Sequence, residues 1–255
     1  PAVADTATFS GGQLGTQGTF AITKGTQGNL TTLSYAIGTE SGTIVAKTAD
    51  TSVYWTPPAS LGAQIASGSS GTATITVSSY TADDYSISSS TFTVTLTVPS
   101  YSYSFADSLT AAHGTKYPGV PSYVAGKSDI VLTMPTFPSA QYGATASGRL
   151  SVVCGTTSLY SGAVTSGEAV TLIPSVAGNL VANVTFEDSR NVSATTSATA
   201  TYVANVMPEI TSLQAFRTAT VSDTTEDPDG AYFYVTATAT YLDITDRKST
   251  RLNSS

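Results

Sequence analysis

The strictest constraint on this chain is its hydrophobic period, which is two almost everywhere. Phe92, Val94, Leu96 and Val98 alternate with threonines; Phe20 and Ile22, then Leu33, Tyr35 and Ile37, then Ala73, Ile75 and Val77 repeat the pattern. Successive side chains of a strand point to opposite faces, so each run offers one apolar face to a core and one polar face to water. A helix needs apolar residues three and four apart, and such spacing is rare here. Each run ends at Gly, Ser, Asn or Pro, the residues that bound strands. About three residues in ten are Ser or Thr and only 11% are charged. Ser and Thr compete for backbone hydrogen bonds inside helices but sit easily on an exposed strand face. A hydrophobic content of 40%, with 14 Tyr and 8 Phe, is enough to build cores rather than a disordered stalk.

The expected fold is therefore all-β, built of tandem immunoglobulin-like β-sandwiches. With Thr43–Lys47 and Ser52–Thr56, the runs give about six strands before Pro99, a suitable count for one sandwich. Pro58–Ala66 is the main exception: a proline at the start, with Leu61 and Ile65 four apart, predicts one or two helical turns bridging the sheets. A second set of strands is expected at Ile130–Met134, Arg149–Cys154, Ala169–Ile173, Asn179–Glu187 and Val192–Val203. The last two should form a hairpin around Asp188–Asn191, and Thr110–Pro121 reads as a long loop. Further strands, Ile210–Thr220 and Tyr232–Tyr241, follow Asn205-Val206-Met207-Pro208. Two strands alone are marginal in water, so a truncated third domain is expected. The expected division is a sandwich at 1–99, a sandwich at 100–204 and an incomplete β domain at 205–245. Residues 246–255 break the composition abruptly, with three basic residues in six positions, and resemble the translation of a sequencing adapter; they are expected to be non-native.

Charge narrows the partners. The net charge is -7, and the ten Lys and Arg form no stripe that would neutralise phosphates, so no nucleic-acid partner is expected. No apolar run approaches the ~20 residues of a membrane helix. The opening Pro1-Ala2-Val3-Ala4-Asp5 lacks a basic segment and a long apolar one, and so does not read as a secretion signal. Cys154 is the single cysteine, which precludes an internal disulfide framework.

Several short motifs resemble one family when taken in order. In the first domain they are Ser41-Gly42-Thr43-Ile44, Trp55-Thr56-Pro57-Pro58 and the closing Val98-Pro99. In the second they are Tyr123–Ser128, Tyr142-Gly143-Ala144 and Asp188-Ser189-Arg190, and in the third Pro208-Glu209-Ile210, Phe216-Arg217 and Gly230-Ala231-Tyr232. Their order and spacing resemble minor structural and tail proteins of long-tailed phages that infect Gram-positive bacteria. That family tends to place Gly after Asp-Ser-Arg, where this chain has Asn191, a residue that also tolerates positive φ. The resemblance implies a virion component of the tail or baseplate region, with other tail proteins and host cell-wall carbohydrate as partners. It implies no catalytic or ligand residues.

The residues themselves offer little chemistry. Asp223, Glu226, Asp227 and Asp229 place four carboxylates in eight positions, a group that can hold Ca²⁺, although a Pro-Asp-Gly hairpin turn explains them better. His113 is the only histidine, so no histidine triad or histidine-rich metal centre is expected, and no cofactor. Asp83-Asp84 and Glu187-Asp188 are adjacent carboxylates; on a strand they point to opposite faces, so they read as turn markers rather than acid–base pairs. Trp55 reads as core, with sugar stacking as the alternative, and Cys154 as a small buried hydrophobe. Tyr80, Tyr85, Tyr117, Tyr123 and Tyr142 lie in or beside loops and suit either rim packing or a carbohydrate platform. Asn29, Asn183 and Asn191 open sequons that arise by chance in so Ser/Thr-rich a chain. No enzyme is expected. The competing readings are a bacterial surface adhesin of immunoglobulin-like repeats and, third, a free carbohydrate-binding module, since one sandwich fold serves all of them.

Overall fold

The computed structural model describes residues 2–65, 67–116, 122–206 and 209–240. The expected boundary at Met207-Pro208, Tyr117, Ala66 and everything from Tyr241 through the 246–255 segment lie outside the described residues. The chain is nearly all β, with one short 3-10 helix among the described residues. No helix there is long and apolar enough to cross a membrane. The chain divides into two compact units: 1–106 with 136–148 and 185–195, and 107–135 with 149–184 and 196–255.

In the first unit, β1 (Thr6–Ser10), β2 (Gly18–Thr23) and β5 (Ser52–Trp55) form a sheet ordered β1-β2-β5. A second sheet is ordered β4-β3-β6-β7, from β3 (Leu30–Ile37), β4 (Glu40–Thr48), β6 (Ser70–Tyr80) and β7 (Ser86–Thr97). The two sheets share one core. Phe20, Ile22, Val53 and Trp55 enter it from one side, and Leu33, Ile75, Val77 and Leu96 from the other. This is an immunoglobulin-type sandwich, and its inward residues are the alternating apolar positions of the sequence. The predicted helical bridge is present as η1 (Ala59–Gln64), a 3-10 helix that buries Leu61.

Gly11 and Gly12 take the chain off β1. Their φ values of 128° and 126° lie where other residues rarely go, and a Cβ on Gly12 would sit 2.4 Å from Thr95 O. The kink lets the chain leave the first sheet and run beside the last strand of the second, where Gln13 bridges Thr97 in parallel. A buried carboxylate anchors the start of this unit. Asp5 accepts hydrogen bonds from Gly25 N, Asn29 Nδ2 and Thr31 Oγ1 at 2.9, 2.8 and 2.6 Å, with Lys24 Nζ 3.6 Å away. Burial pushes its pKa up, but these donors outweigh it and hold the group below its ordinary value. Asn29 of the first sequon is thus a buried structural group.

In the second part of the chain, β8 (Thr110–His113), β10 (Ile130–Thr133) and β13 (Ala169–Leu172) make one sheet, ordered β13-β10-β8. Another is ordered β12-β11-β14-β15-β9, from β9 (Tyr123–Val124), β11 (Ala146–Cys154), β12 (Thr157–Val164), β14 (Gly178–Asp188) and β15 (Ser193–Val203). The strand plan repeats that of the first sandwich. The opening strand β8 pairs antiparallel with β10, and the next short strand β9 then pairs parallel with the last strand β15. Ile130, Leu132, Leu150, Val152, Leu180 and Ala182 are fully buried. Strands β11, β14 and β15 carry residues of both compact units.

The reading of Thr110–Pro121 as one long loop is corrected: Thr110–His113 is a strand in register with Ile130–Thr133. Thr110-Ala111-Ala112-His113 has too little apolar contrast to show a period of two. Strands β1 and β12 also escaped the sequence reading, the first because Phe9 is its only large apolar residue. The last described pair, β16 (Glu209–Thr218) and β17 (Tyr232–Thr240), is an antiparallel hairpin. Ile210, Leu213, Phe233 and Val235 lie on one of its faces and are exposed.

Candidate functional site: an arginine clamp in the first unit

The most heavily bonded polar cluster is built from four chain segments of the first unit. β14 ends at Asp188, and the chain turns through Ser189, Arg190 and Asn191 before β15. Asn191 has φ 63°, a left-handed conformation that Asn tolerates better than most residues other than Gly. Asp188 Oδ1 accepts the backbone N–H groups of Arg190 and Val192, at 2.9 and 3.1 Å, which closes the turn. Its Oδ2 accepts the hydroxyls of Tyr101 and Tyr103 at 2.6 and 2.8 Å. Tyr103 Oη accepts Gln141 N at 3.0 Å, and its ring stands edge-on to Phe186 at 4.9 Å. The segment after Pro99 is thereby tied to the β14 turn and to the 141–144 turn.

Arg190 completes the arrangement. Its Nη2 donates to the carbonyls of Gly62, Ile65 and Tyr142, the last two at 3.0 Å. Its Nη1 donates to Gln141 O at 3.2 Å, with Tyr101 Oη at 3.4 Å. Gly62 lies in η1 and Ile65 just after it, so one guanidinium reaches the end of the helix, adding to Gly62 O, which already accepts Ile65 N at 3.0 Å, and supplying a donor to Ile65 O. A planar fork spreads five donors over three nitrogens and so reaches carbonyls on two sides at once, whereas an ammonium gathers its three donors on one nitrogen. Glycine makes the approach possible. A Cβ on Gly62 would sit 2.4 Å from Tyr142 O, and one on Gly143 would sit 2.6 Å from Ala63 Cβ. Arg190 Nε is buried with no hydrogen-bond partner, a desolvation cost the clamp carries. A cavity of about 390 Å³ lies beside it, lined by Ser67–Ser69, Val98–Tyr101, Arg190 and Val192.

The electrostatics are those of a closed structural network. Burial raises the Asp188 pKa, but hydrogen bonds from Tyr101, Tyr103 and two backbone amides outweigh it, and the group sits below its ordinary value. Burial and the neighbouring Asp188 push Tyr103 up to about 12, and Tyr101 also rises for the same reasons. A carboxylate with four donors has no lone pair left for a substrate proton. The same cluster sets a pH dependence. Asp188 titrates lower when folded, so its contribution is complete above the unfolded carboxylate value of about 3.9 and is lost as pH falls through the folded value. Tyr103 titrates higher when folded, so the unfolded chain ionises first and stability falls from about pH 10 upward. Thermal melts are expected to be flat through neutral pH and to drop on both sides. Tyr103→Phe should shrink the alkaline drop; an unchanged alkaline limb would show that Tyr103 is not the group responsible.

The residues singled out in the sequence go to separate places. In the acidic loop, Asp223 Oδ1 accepts Thr225 N and Asp227 Oδ1 accepts Asp229 N, both at 3.0 Å, so two of its carboxylates form turns. Among the described residues no three His, Cys, Asp or Glu side chains gather in a way that would hold a metal ion. His113 stacks on Tyr123, centroids 3.8 Å apart and rings 6° from parallel. Cys154 is buried, and burial pushes its thiol pKa up. Asp84 pairs with Lys47, whose ammonium also lies 5.3 Å from the Tyr80 ring centre. Tyr85 is exposed, and Tyr142 belongs to the clamp. Trp55 is in the first core. Sequence reasoning treated Asp188 as a turn marker and Arg190 as a motif residue, and it passed over Tyr101 and Tyr103. The available sign was Tyr101-Ser102-Tyr103 directly after a domain-closing proline, since tyrosines spaced by two share one strand face.

A protein family described as a siphovirus protein of unknown function matches residues 2–226, which include every residue of the clamp. Among solved structures, the chain is similar to fibronectin(III)-like modules of Clostridium thermocellum CbhA. The identity is 12%, over 78% of this chain and 95% of that one, with a TM-score of 0.28. A comparison with curated protein sequences finds no match.

Proposed function

The chain belongs to this siphovirus protein family, and from that premise we propose that it is a non-enzymatic structural protein of the phage particle, sited in the tail or baseplate region and contributing to attachment at the host cell surface. The observation that carries the non-enzymatic part is the state of the best-formed polar site. Asp188 and the two terminal nitrogens of Arg190 spend their hydrogen bonds on backbone and tyrosine groups of their own unit, which supports a part built to hold shape. Its partners on this reading are other tail proteins and the wall carbohydrate of a Gram-positive host, with no nucleic acid and no membrane among them. Its parts are a sandwich over 1–99, a second over 100–204 and a further β domain beginning near 205.

The test needs a phage that encodes this chain. Purified particles, stripped of free protein, are probed with antibodies to the chain by immunoblot and by gold labelling. Label on the tail or its tip supports the reading, and absence from washed particles defeats it. Purified protein is then incubated with whole host cells and with extracted wall polysaccharide. Saturable binding with no change in the polysaccharide supports attachment, whereas release of cleaved glycan would overturn the non-enzymatic part.

A further inference from the structure

We propose that the outer edge of β7 is a self-association site, where a second copy of this chain adds its own β7 antiparallel to extend the sheet across a two-fold axis near Thr91. β7 ends the sheet order β4-β3-β6-β7. Its ladder with β6 runs without a register shift from Ser70↔Thr97 to Ser79↔Ser88, so the direction of each backbone group follows from one reference point. Thr97 N donates to Gly12 O and Thr97 O accepts Leu14 N, both at 2.9 Å, so the Thr97 groups face away from β6. Val98 N bonds Ser69 O on the β6 side, as the alternation requires. Residues two apart face the same way in an antiparallel ladder. Thr93, Thr91 and Ser89 therefore each direct an N–H and a C=O outward, past the point where Gly12 covers the edge.

This edge lacks the guards its neighbours carry. The other edge strands of the first sandwich are short, as β1 and β5 are at five and four residues, or irregular, as β4 is. β4 has two register shifts, a charged residue near each end and Lys47 at φ 48°. β7 has twelve residues with no charge and no proline. Such an edge is a template for another strand unless a partner is meant to have it.

The occupant that fits is an identical strand. About a two-fold at Thr91, Thr91 meets Thr91 and Ser89 meets Thr93 in both directions, so six outward backbone groups of one copy meet six of the other. The outward side chains are then Ser and Thr facing Ser and Thr. The sheet already pairs such hydroxyls, with Ser78 Oγ 2.8 Å from Ser89 Oγ. Antiparallel pairing also sends the two Asp83-Asp84 turns to opposite ends, so a chain of net charge -7 brings no like charges together on this ladder. On the core side, half-buried Phe92 and Val94 border a groove shared with Ala7 and Phe9. The two Phe92 side chains would lie diagonally across the new strand pair, over those grooves.

Sedimentation equilibrium of the full chain tests this, independently of any role in a virion. The expected result is a concentration-dependent rise from 26.0 kDa to twice that mass. Thr91→Pro removes an outward N–H without touching the β6 ladder, a position where strands tolerate proline. Thr91→Lys sets two ammonium groups directly opposite each other at the two-fold. Each is expected to weaken association at least about tenfold, with an unchanged circular dichroism melt. A chain that stays monomeric up to about 100 μM, or a dimer that survives both substitutions, overturns the proposal; survival would move the contact elsewhere, to the uncharged part of β15 outside its two-residue pairing with β9 or the exposed face of the β16–β17 hairpin. If Thr91→Pro unfolds, Thr91→Lys alone decides.

Discussion

Arg190→Ala is expected to destabilise the first unit by about 3 kcal/mol, since the guanidinium makes several charge-assisted hydrogen bonds to buried or half-buried carbonyls. The bonds do not add independently, and the adjoining cavity lets water reach some of the stranded acceptors, so the sum of single-bond values would overstate the loss. Arg190→Lys should recover only part of it: one ammonium cannot reach the η1 carbonyls and the 141–142 carbonyls in the same geometry. Arg149→Ala is the control. Arg149 bonds only an exposed Ser161 hydroxyl among the described contacts, and its loss should cost within about 0.5 kcal/mol. Urea unfolding is followed by tryptophan fluorescence, because the single tryptophan, Trp55, sits in the core of the unit that Arg190 clamps, and by circular dichroism, which also reports the second unit, where Arg149 lies. If Arg190→Ala proves as harmless as Arg149→Ala, the clamp does not hold this unit together.

Much of the fold was legible because the dominant force is burial of one strand face. The period of two in β2, β3, β6 and β7 marks the same residues that fill the first core, and the Pro58 start with Leu61 marks η1. What escaped is physically of one kind. β1, β8, β9 and β12 all stand at sheet edges, and their own residues carry little apolar alternation to read. The clamp escaped for a related reason. Arg190 meets Gly62 and Ile65 across more than a hundred residues, and nothing local reveals where an arginine fork will find carbonyls. The motifs Tyr142-Gly143-Ala144 and Asp188-Ser189-Arg190 were visible as a family pattern, but only packing explains them. Gly143 permits contact with η1 at φ 67°, Asp188 closes the turn that aims Arg190, and Arg190 caps the helix.

Trp55→Ala should have the largest effect of any single truncation in the first core, about 3–5 kcal/mol. Trp55 is the last residue of β5, buried to 8% exposure, and its ring reaches both sheets. Its centroid lies 5.6 and 6.0 Å from Phe9 and Phe20 on its own sheet and 5.2 Å from Tyr35 on the facing one. Removing it leaves a void lined by three rings that are fixed by separate strands and cannot collapse together. Tyr54 is the built-in comparison. It is the preceding residue on the same strand, points to the other face and is 65% exposed, so Tyr54→Ala should change stability by no more than about 0.5 kcal/mol. Trp55→Phe keeps an aromatic plane and should recover roughly half the loss, since part of the lost area and volume remains filled. Because these Trp55 variants lack the fluorophore, the melts are followed by circular dichroism. Equal melts for Trp55→Ala and Tyr54→Ala would mean that the sheets are held by their other core residues, with the aromatic cluster contributing little. A loss confined to Trp55→Ala would instead place the sheet-to-sheet contact at the Trp-Thr-Pro-Pro step, which would make that sequence motif a packing requirement and remove the Trp55 ring as a sugar-stacking surface.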